Sequence, residues 1–229
     1  MPCFAMATGR IIDLRNILAE RFPQKALPPA DRLVTGLSSF DAALDGGLTK
    51  GAITELTSTP PNAGSASVIG ALLQRASRDR YFIALIDGRD SFDPSGSGAI
   101  DGSALRYLLW VRCRNTSEAI QAADLLLRDG NFPLVLLDLV LNPMEVLRRI
   151  RQSNWYRLQR LVEPAPTAFL VFTPRNMISS AQWKLSLENR WTLAQLDWAA
   201  ADLREQLEFR LQRAQPNKWR SEQRLAQAG

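Results

Sequence analysis

The sequence predicts an α/β fold, a mostly parallel sheet with helices on both faces and an antiparallel C-terminal edge. Three observations predict it. Residues 81–87 (YFIALID), 134–139 (LVLLDL) and 169–173 (FLVFT) are near-continuous apolar runs. Runs of that kind are what strands buried on both faces of a parallel sheet look like. Segments with apolar residues at helical spacing alternate with them, as in a sheet covered on both sides. Finally, 184–213 carries WKLSLE, WTLAQLDW and LEFRLQRA, whose alternation suits a hairpin-like antiparallel edge.

The elements follow in chain order. Residues 9–22 place Ile11, Leu14, Leu18 and Phe22 at helical spacing, a short amphipathic helix. Pro23, Pro28 and Pro29 mark a linker after it, so residues 1–32 read as an N-terminal appendage whose helix packs on its own domain or docks on a partner, the former being the plainer reading. A core is expected over 33–213. It starts with a short helical segment from Asp41 to Leu44, closed by Gly46-Gly47, and a strand at 52–57 (AITELT). A helix is expected over 65–79, with Val68, Ile69, Leu72, Leu73 and Ala76 on one face. After the 81–87 strand, the Gly, Ser and Asp of 88–103 read as a loop, and 108–113 (LLWVRC) as a strand. Residues 116–129 form a helix capped by Thr116 or Ser117 and ended by Gly130. One continuous helix is expected over 143–162, with Pro143 at its first position. The polar stretch 214–229 reads as a basic tail.

Composition excludes several function classes. The 229 residues contain no histidine, which rules out a His-based catalytic triad and removes the commonest zinc ligand, so no metal site is expected. Cys3 and Cys113 give no disulfide framework and read as free thiols. No apolar run approaches the roughly 20 residues needed to span a bilayer, so no membrane association is expected and the expected location is cytoplasmic. The net charge is +5, carried mostly by arginine, which grips phosphate and stacks on bases. Nucleic acid is therefore one candidate partner, and an ordinary solvated basic surface is the plainer reading.

Residues 35–56 (TGLSSFDAALDGGLTKGAITEL) resemble the opening of the RecA-type ATPase core. Thr35-Gly36, Phe40-Asp41, Gly46-Gly47-Leu48, Gly51 and Glu55 stand in the family's order and spacing. Ile86-Asp87 with Phe92-Asp93-Pro94 resembles a second family element, and 115–138 resembles the helix and strand leading to the Walker B aspartate, here Asp138. The resemblance implies a RecA-like sheet over most of 33–213. It also exposes what is missing. A phosphate loop needs glycines, backbone N–H groups, a lysine and a Ser/Thr for magnesium. After Leu56 the chain reads TSTPPNAGSASV: Gly64 is the only glycine, Ser65 and Ala66 stand where Lys then Ser/Thr belong, and no lysine lies between Lys50 and Lys184. Pro60 and Pro61 remove two N–H donors. Where the family has a water-activating glutamate, this chain has Arg89, which cannot accept a proton. No catalytic residue, bound nucleotide or cofactor is expected.

The chain also resembles the ImuA (SulA-like) family, RecA paralogues without a working ATP site. That resemblance implies a non-catalytic accessory protein of the DNA-damage (SOS) response, supporting error-prone translesion synthesis. Its implied partners are RecA and a Y-family polymerase-like mutasome protein, with Ile11, Leu14 and Leu18 as docking residues. Two other readings stay open: a SulA-like inhibitor of cell division, and a diverged but working ATPase. The expected 143–162 helix adds a surface of its own. Met144, Leu147, Ile150, Leu158 and Leu161 face inward, while Arg148, Arg149, Arg151, Arg157 and Arg160 crowd the rest with Trp155 and Tyr156 between them. These arginines, with Trp155, are candidates for holding single-stranded nucleic acid by charge and stacking or for contacting an acidic protein partner, and a solvated helix face is the third reading. Self-association into a homo-oligomer is a further candidate.

Overall fold

The structure, a computed structural model, describes residues 32–58, 64–94, 100, 102–189, 191, 195, 198 and 200–214. The helix expected over 9–22, with Ile11, Leu14 and Leu18, lies outside these residues, as does the tail from 215. Two short strands, β1 (Arg32–Leu33) and β2 (Leu48–Thr49), pair antiparallel. The main sheet is built from β3 (Ala52–Ser58), β4 (Ile83–Asp87), β5 (Leu108–Arg112), β6 (Leu134–Asp138), β7 (Ala168–Thr173), β8 (Trp183–Leu187) and β9 (Phe209–Ala214). The helices are α1 (Ser38–Ala43), α2 (Ser65–Asp79), α3 (Thr116–Asp129), α4 (Met144–Leu147), α5 (Gln152–Val162) and α6 (Ala200–Glu205), with a 3-10 turn at Ala104–Tyr107.

The sheet order is β5-β4-β6-β7-β3-β8-β9. All neighbours pair in parallel except β8 and β9, which form the antiparallel edge that the alternating sequence pattern predicts. Successive residues of the central strands point to opposite faces. Ile83, Leu85, Leu134, Leu136, Leu170 and Phe172 join α1 and α2 in one apolar cluster. Ala84, Ile86, Val135, Leu137, Phe169 and Val171 join α3, α4 and α5 in the other. β4, β6 and β7 are apolar up to their last residues because each face has its own layer of helices to bury it.

The motif at 35–41 has a local cause. The Asp41 carboxylate accepts hydrogen bonds from Thr35 N–H at 2.9 Å, Thr35 Oγ1 at 2.7 Å and Gly36 N–H at 3.1 Å, tying the chain entering the domain to α1. Phe40 of that helix is fully buried beside Phe209 of β9, ring centres 4.6 Å apart. The first and last elements of the core thus share one packing site.

Three expectations are corrected. The helix over 143–162 is broken: α4 ends at Leu147, and Arg151 is extended (φ −67°, ψ 140°) before α5 begins. The break rephases the chain. At 100° per residue, an unbroken helix would line Asn154 up with Leu147, leaving Trp155 turned away. The interruption instead seats Trp155, with Leu158 and Val162, in the core. Helix α3 is capped by Asn115, whose side chain accepts from Glu118 N–H at 3.0 Å, and not by Thr116 or Ser117. Between β8 and β9 the chain forms α6, where the sequence pattern suggested only strand.

Candidate functional site

In an open parallel sheet the ligand crevice lies beyond the carboxyl ends of the strands, so the tips of β3, β4, β6 and β7 define the site to inspect. Strand β3 leads toward α2, which begins at Ser65 after Gly64 in the left-handed region (φ 113°). Ser65 is buried and Ala66 is exposed. A β-carbon on Gly64 would lie 2.7 Å from Leu207 Cδ2 and 3.6 Å from the Trp191 ring. Leu207 is 1% exposed, and its carbonyl accepts a hydrogen bond from Ser39 Oγ at 2.9 Å. The first turn of α2 therefore sits under an apolar side chain held in place from α1.

Glu55, inside β3, is fully buried. Its Oε1 accepts from Met177 N–H at 2.7 Å, Ile178 N–H at 3.1 Å and Thr173 Oγ1 at 3.2 Å. Its Oε2 lies 2.9 Å from Lys184 Nζ, an ion pair between residues in register on β3 and β8. A charge in a buried strand demands this full set of partners. Glu55 thus fastens β3 to β8 and to the loop after β7.

The tips of β4 and β6 are fastened together in the same way. The Asp87 carboxylate accepts from Phe92 N–H (2.8 Å), Ser91 N–H (3.0 Å) and Arg89 N–H (3.2 Å), so it folds the loop after β4 around itself. Gly88 N–H donates to the Asp138 carbonyl at 3.0 Å. A β-carbon on Gly88 would stand 2.7 Å from that carbonyl and 2.8 Å from Asn142 Oδ1, so only glycine fits. Asn142 Nδ2 donates to the Gly88 carbonyl at 2.9 Å and to Thr116 Oγ1 at 3.2 Å. Asp138 accepts from Val140 N–H at 3.0 Å. Burial pushes its carboxyl up to about 6, against the lowering effect of that hydrogen bond and with a small push from Asp87. The Arg89 side chain is exposed, and only its backbone serves Asp87.

This donor set does not fit a nucleoside triphosphate with magnesium. Such a group needs a lysine at the helix start, a hydroxyl beside it and open N–H groups. The described positions offer Ser65, Ala66 and a Gly64 covered by Leu207. Among the described residues there is also no group of three His, Cys, Asp or Glu side chains placed to hold a metal ion. No helix among them is long and apolar enough to cross a membrane.

The arginine surface is rearranged relative to expectation. Trp155 is 0% exposed, packed between the helices and the sheet, so it cannot stack on a base. Tyr156 stays at the surface, 49% exposed. Arg148, Arg149, Arg151, Arg157 and Arg160 are all exposed. Arg157 pairs with Asp124 of α3 at 3.0 Å, and Asp124 also holds Arg128 at 2.9 Å. Between α3 and the α4–α5 segment lies a groove of about 410 Å³, which the sequence reading missed because it exists only where that helix breaks. Gly88, Asn142 and the Lys184 partner of Glu55 were missed as well. The available signal was the glutamate in an otherwise uncharged buried strand, which requires a cation from elsewhere.

No protein-family model matches the chain. It is similar to Protein RecA of Frankia alni, 30% identical over 114 residues, which is 49% of this chain and 32% of that protein. Protein RecA of Kineococcus radiotolerans is 28% identical over 121 residues, 52% of this chain and 34% of the relative. Protein RecA of Leifsonia xyli subsp. xyli is 30% identical over 122 residues, 53% and 32% respectively. The chain spans about a third of the length of the curated relatives it matches. Together with the mostly parallel seven-stranded sheet, these matches make the relationship RecA-like over about half of the chain.

Proposed function

We propose that this protein is a RecA-like accessory factor of the bacterial DNA-damage response, of the ImuA type, that works by binding and not by ATP turnover. One observation carries the reading: a RecA-like sheet is kept, while the described residues at its ligand end offer neither the lysine nor the hydroxyl that a phosphate loop needs. Leu207 seated on Gly64, Ser65 and Ala66 at the lysine and Ser/Thr positions, and Arg89 in place of a carboxylate base all support it. In this reading the phosphate loop is degenerate, and Asp138 is a remnant with no metal to hold. The retained core serves for mimicry, presenting RecA-like contacts to RecA and to a Y-family polymerase-like mutasome partner in translesion synthesis. Ile11, Leu14 and Leu18 are the proposed docking residues. A cytoplasmic location goes with these partners.

The test combines capture of purified RecA by the immobilised full chain with calorimetric titration of ATP on the same preparation. RecA capture with no ATP heat is the expected result. Deleting residues 1–24 is expected to abolish capture and leave the thermal unfolding of the core unchanged. ATP heat without RecA capture would sink the proposal and identify a working nucleotide-binding protein.

A further inference from the structure

The groove between α3 and α4–α5 has a composition that nothing at the ligand end of the sheet explains. Three aliphatic side chains line it, Ile120 from α3 and Val146 and Ile150 from the α4–α5 segment. The rest of its lining is polar or basic: Thr116, Ser117, Gln121, Asn154, Arg149 and Arg157. Val146 is 37% exposed, a large apolar side chain left open to water.

Charge is unbalanced there in one direction. Asp124 is the acidic group facing Arg157, but its two oxygens are shared between Arg157 at 3.0 Å and Arg128 at 2.9 Å. Glu118, at the α3 end, is turned to its own cap: it accepts from Arg114 N–H at 2.8 Å and Asn115 Nδ2 at 3.0 Å. Glu145 is exposed on α4. Arg149 makes no ion pair among the described residues, and neither do Arg148, Arg151 and Arg160 around it. The walls are firm. Gln152, at the start of α5, donates to the Met177 carbonyl at 3.1 Å and accepts from Ser179 Oγ at 2.7 Å, while Trp155 and Leu158 pack beneath.

Two kinds of ligand answer to exposed arginines. Single-stranded nucleic acid needs aromatic platforms on which bases stack. The structure removes the main one by burying Trp155, and no aromatic side chain lines the groove. An acidic peptide with an apolar anchor needs a hydrophobic slot with cations at its rim, which is what the groove supplies. We propose that this groove receives an acidic segment of a partner protein, its carboxylates on Arg149 and the outer face of Arg157 and its apolar side chain on Val146 and Ile150. The assignment stands on the groove itself and holds whichever protein brings the segment.

The experiment uses the full chain and fluorescence anisotropy with three labelled probes. They are a peptide of about 12 residues mixing Glu, Asp and Leu, a poly-Glu peptide of the same length, and an oligo-dT of the same length. The Leu-containing peptide is expected to saturate below about 1 mM and to bind about tenfold more tightly than poly-Glu. Arg149→Ala and Val146→Asp, both at exposed positions, are each expected to weaken it about fivefold or more, while Arg210→Ala on β9 changes it less than about twofold. No saturation with the peptide overturns the proposal. So does an equal loss in Arg210→Ala, which would mean net charge alone. Oligo-dT binding that falls with Arg149→Ala, without peptide binding, overturns it in favour of a nucleic-acid groove.

Discussion

Two carboxylates in the interior of this protein have opposite situations. Glu55 accepts from two backbone N–H groups and a hydroxyl on one oxygen and pairs with Lys184 through the other. Breaking a buried pair strands the surviving charge, which costs about 3–5 kcal/mol. Glu55→Gln is therefore expected to lower unfolding stability by about that amount in urea titrations. Adding Lys184→Met to Glu55→Gln is expected to restore part of it, since the uncompensated cation is then gone. Asp138 accepts one backbone hydrogen bond, from Val140 N–H, and its carboxyl is pushed up to about 6, chiefly by burial. The native state thus holds this proton more tightly than the unfolded chain does. Stability from this group is complete below about pH 4 and is lost as pH rises through about 6. Asp138→Asn keeps an acceptor for Val140 N–H and removes the ionisation. The variant is expected to exceed the parent by about 1–3 kcal/mol at pH 8, with the difference vanishing near pH 4 in the same titrations. An aspartate serving as a purely structural cap in water would give no such pH dependence.

At the scale of elements, the break between α4 and α5 decides what the arginine-rich segment can do. It turns Trp155 inward, where the side chain fills space among Ala119, Ala123, Leu158 and Phe169. Trp155→Ala is expected to lose about 3–5 kcal/mol of stability, the usual cost of emptying a large buried site. Tyr156→Ala, at an exposed position, is expected to stay within about 0.5 kcal/mol of the parent in thermal melts. Equal, small effects for both would return Trp155 to the surface. The spacing of apolar residues did not reveal the break. Met144, Leu147, Ile150, Leu158 and Leu161 fit one continuous stripe, and the competing pattern of Trp155, Leu158 and Val162 fits equally well on a rephased helix. Periodicity alone cannot choose between two stripes, because the choice rests on the volume that the sheet leaves open beneath them. The strands were legible for the opposite reason. YFIALID, LVLLDL and FLVFT are apolar on both faces, and only a doubly covered sheet accommodates that.

For the molecule as a whole, the fold was readable because its signal is repeated: strand and helix alternate, and each carries its own pattern. The ligand end was readable as a list of absent groups, Ser65, Ala66 and Arg89, since a missing lysine needs no geometry to be noticed. Its positive features were not readable. Leu207 reaches Gly64, Lys184 reaches Glu55 and Asn142 reaches Gly88 across wide separations in sequence, and no local pattern announces such meetings. Those separations bear on how the chain acquires its shape. The interior strand β3 is joined to elements 118 residues downstream by Glu55 and Thr173, and 129 residues downstream by Ile53 and Gln182. During synthesis it therefore waits, unpaired, until most of the domain has left the ribosome. Non-local strand pairing of this kind is slow and exposes the chain to wrong partners. Through that interval Glu55 is a bare carboxylate in an otherwise uncharged strand. Any premature neighbour would have to bury it without a cation, so the ion pair that fastens the finished sheet also selects, earlier, which strand is admitted beside β3.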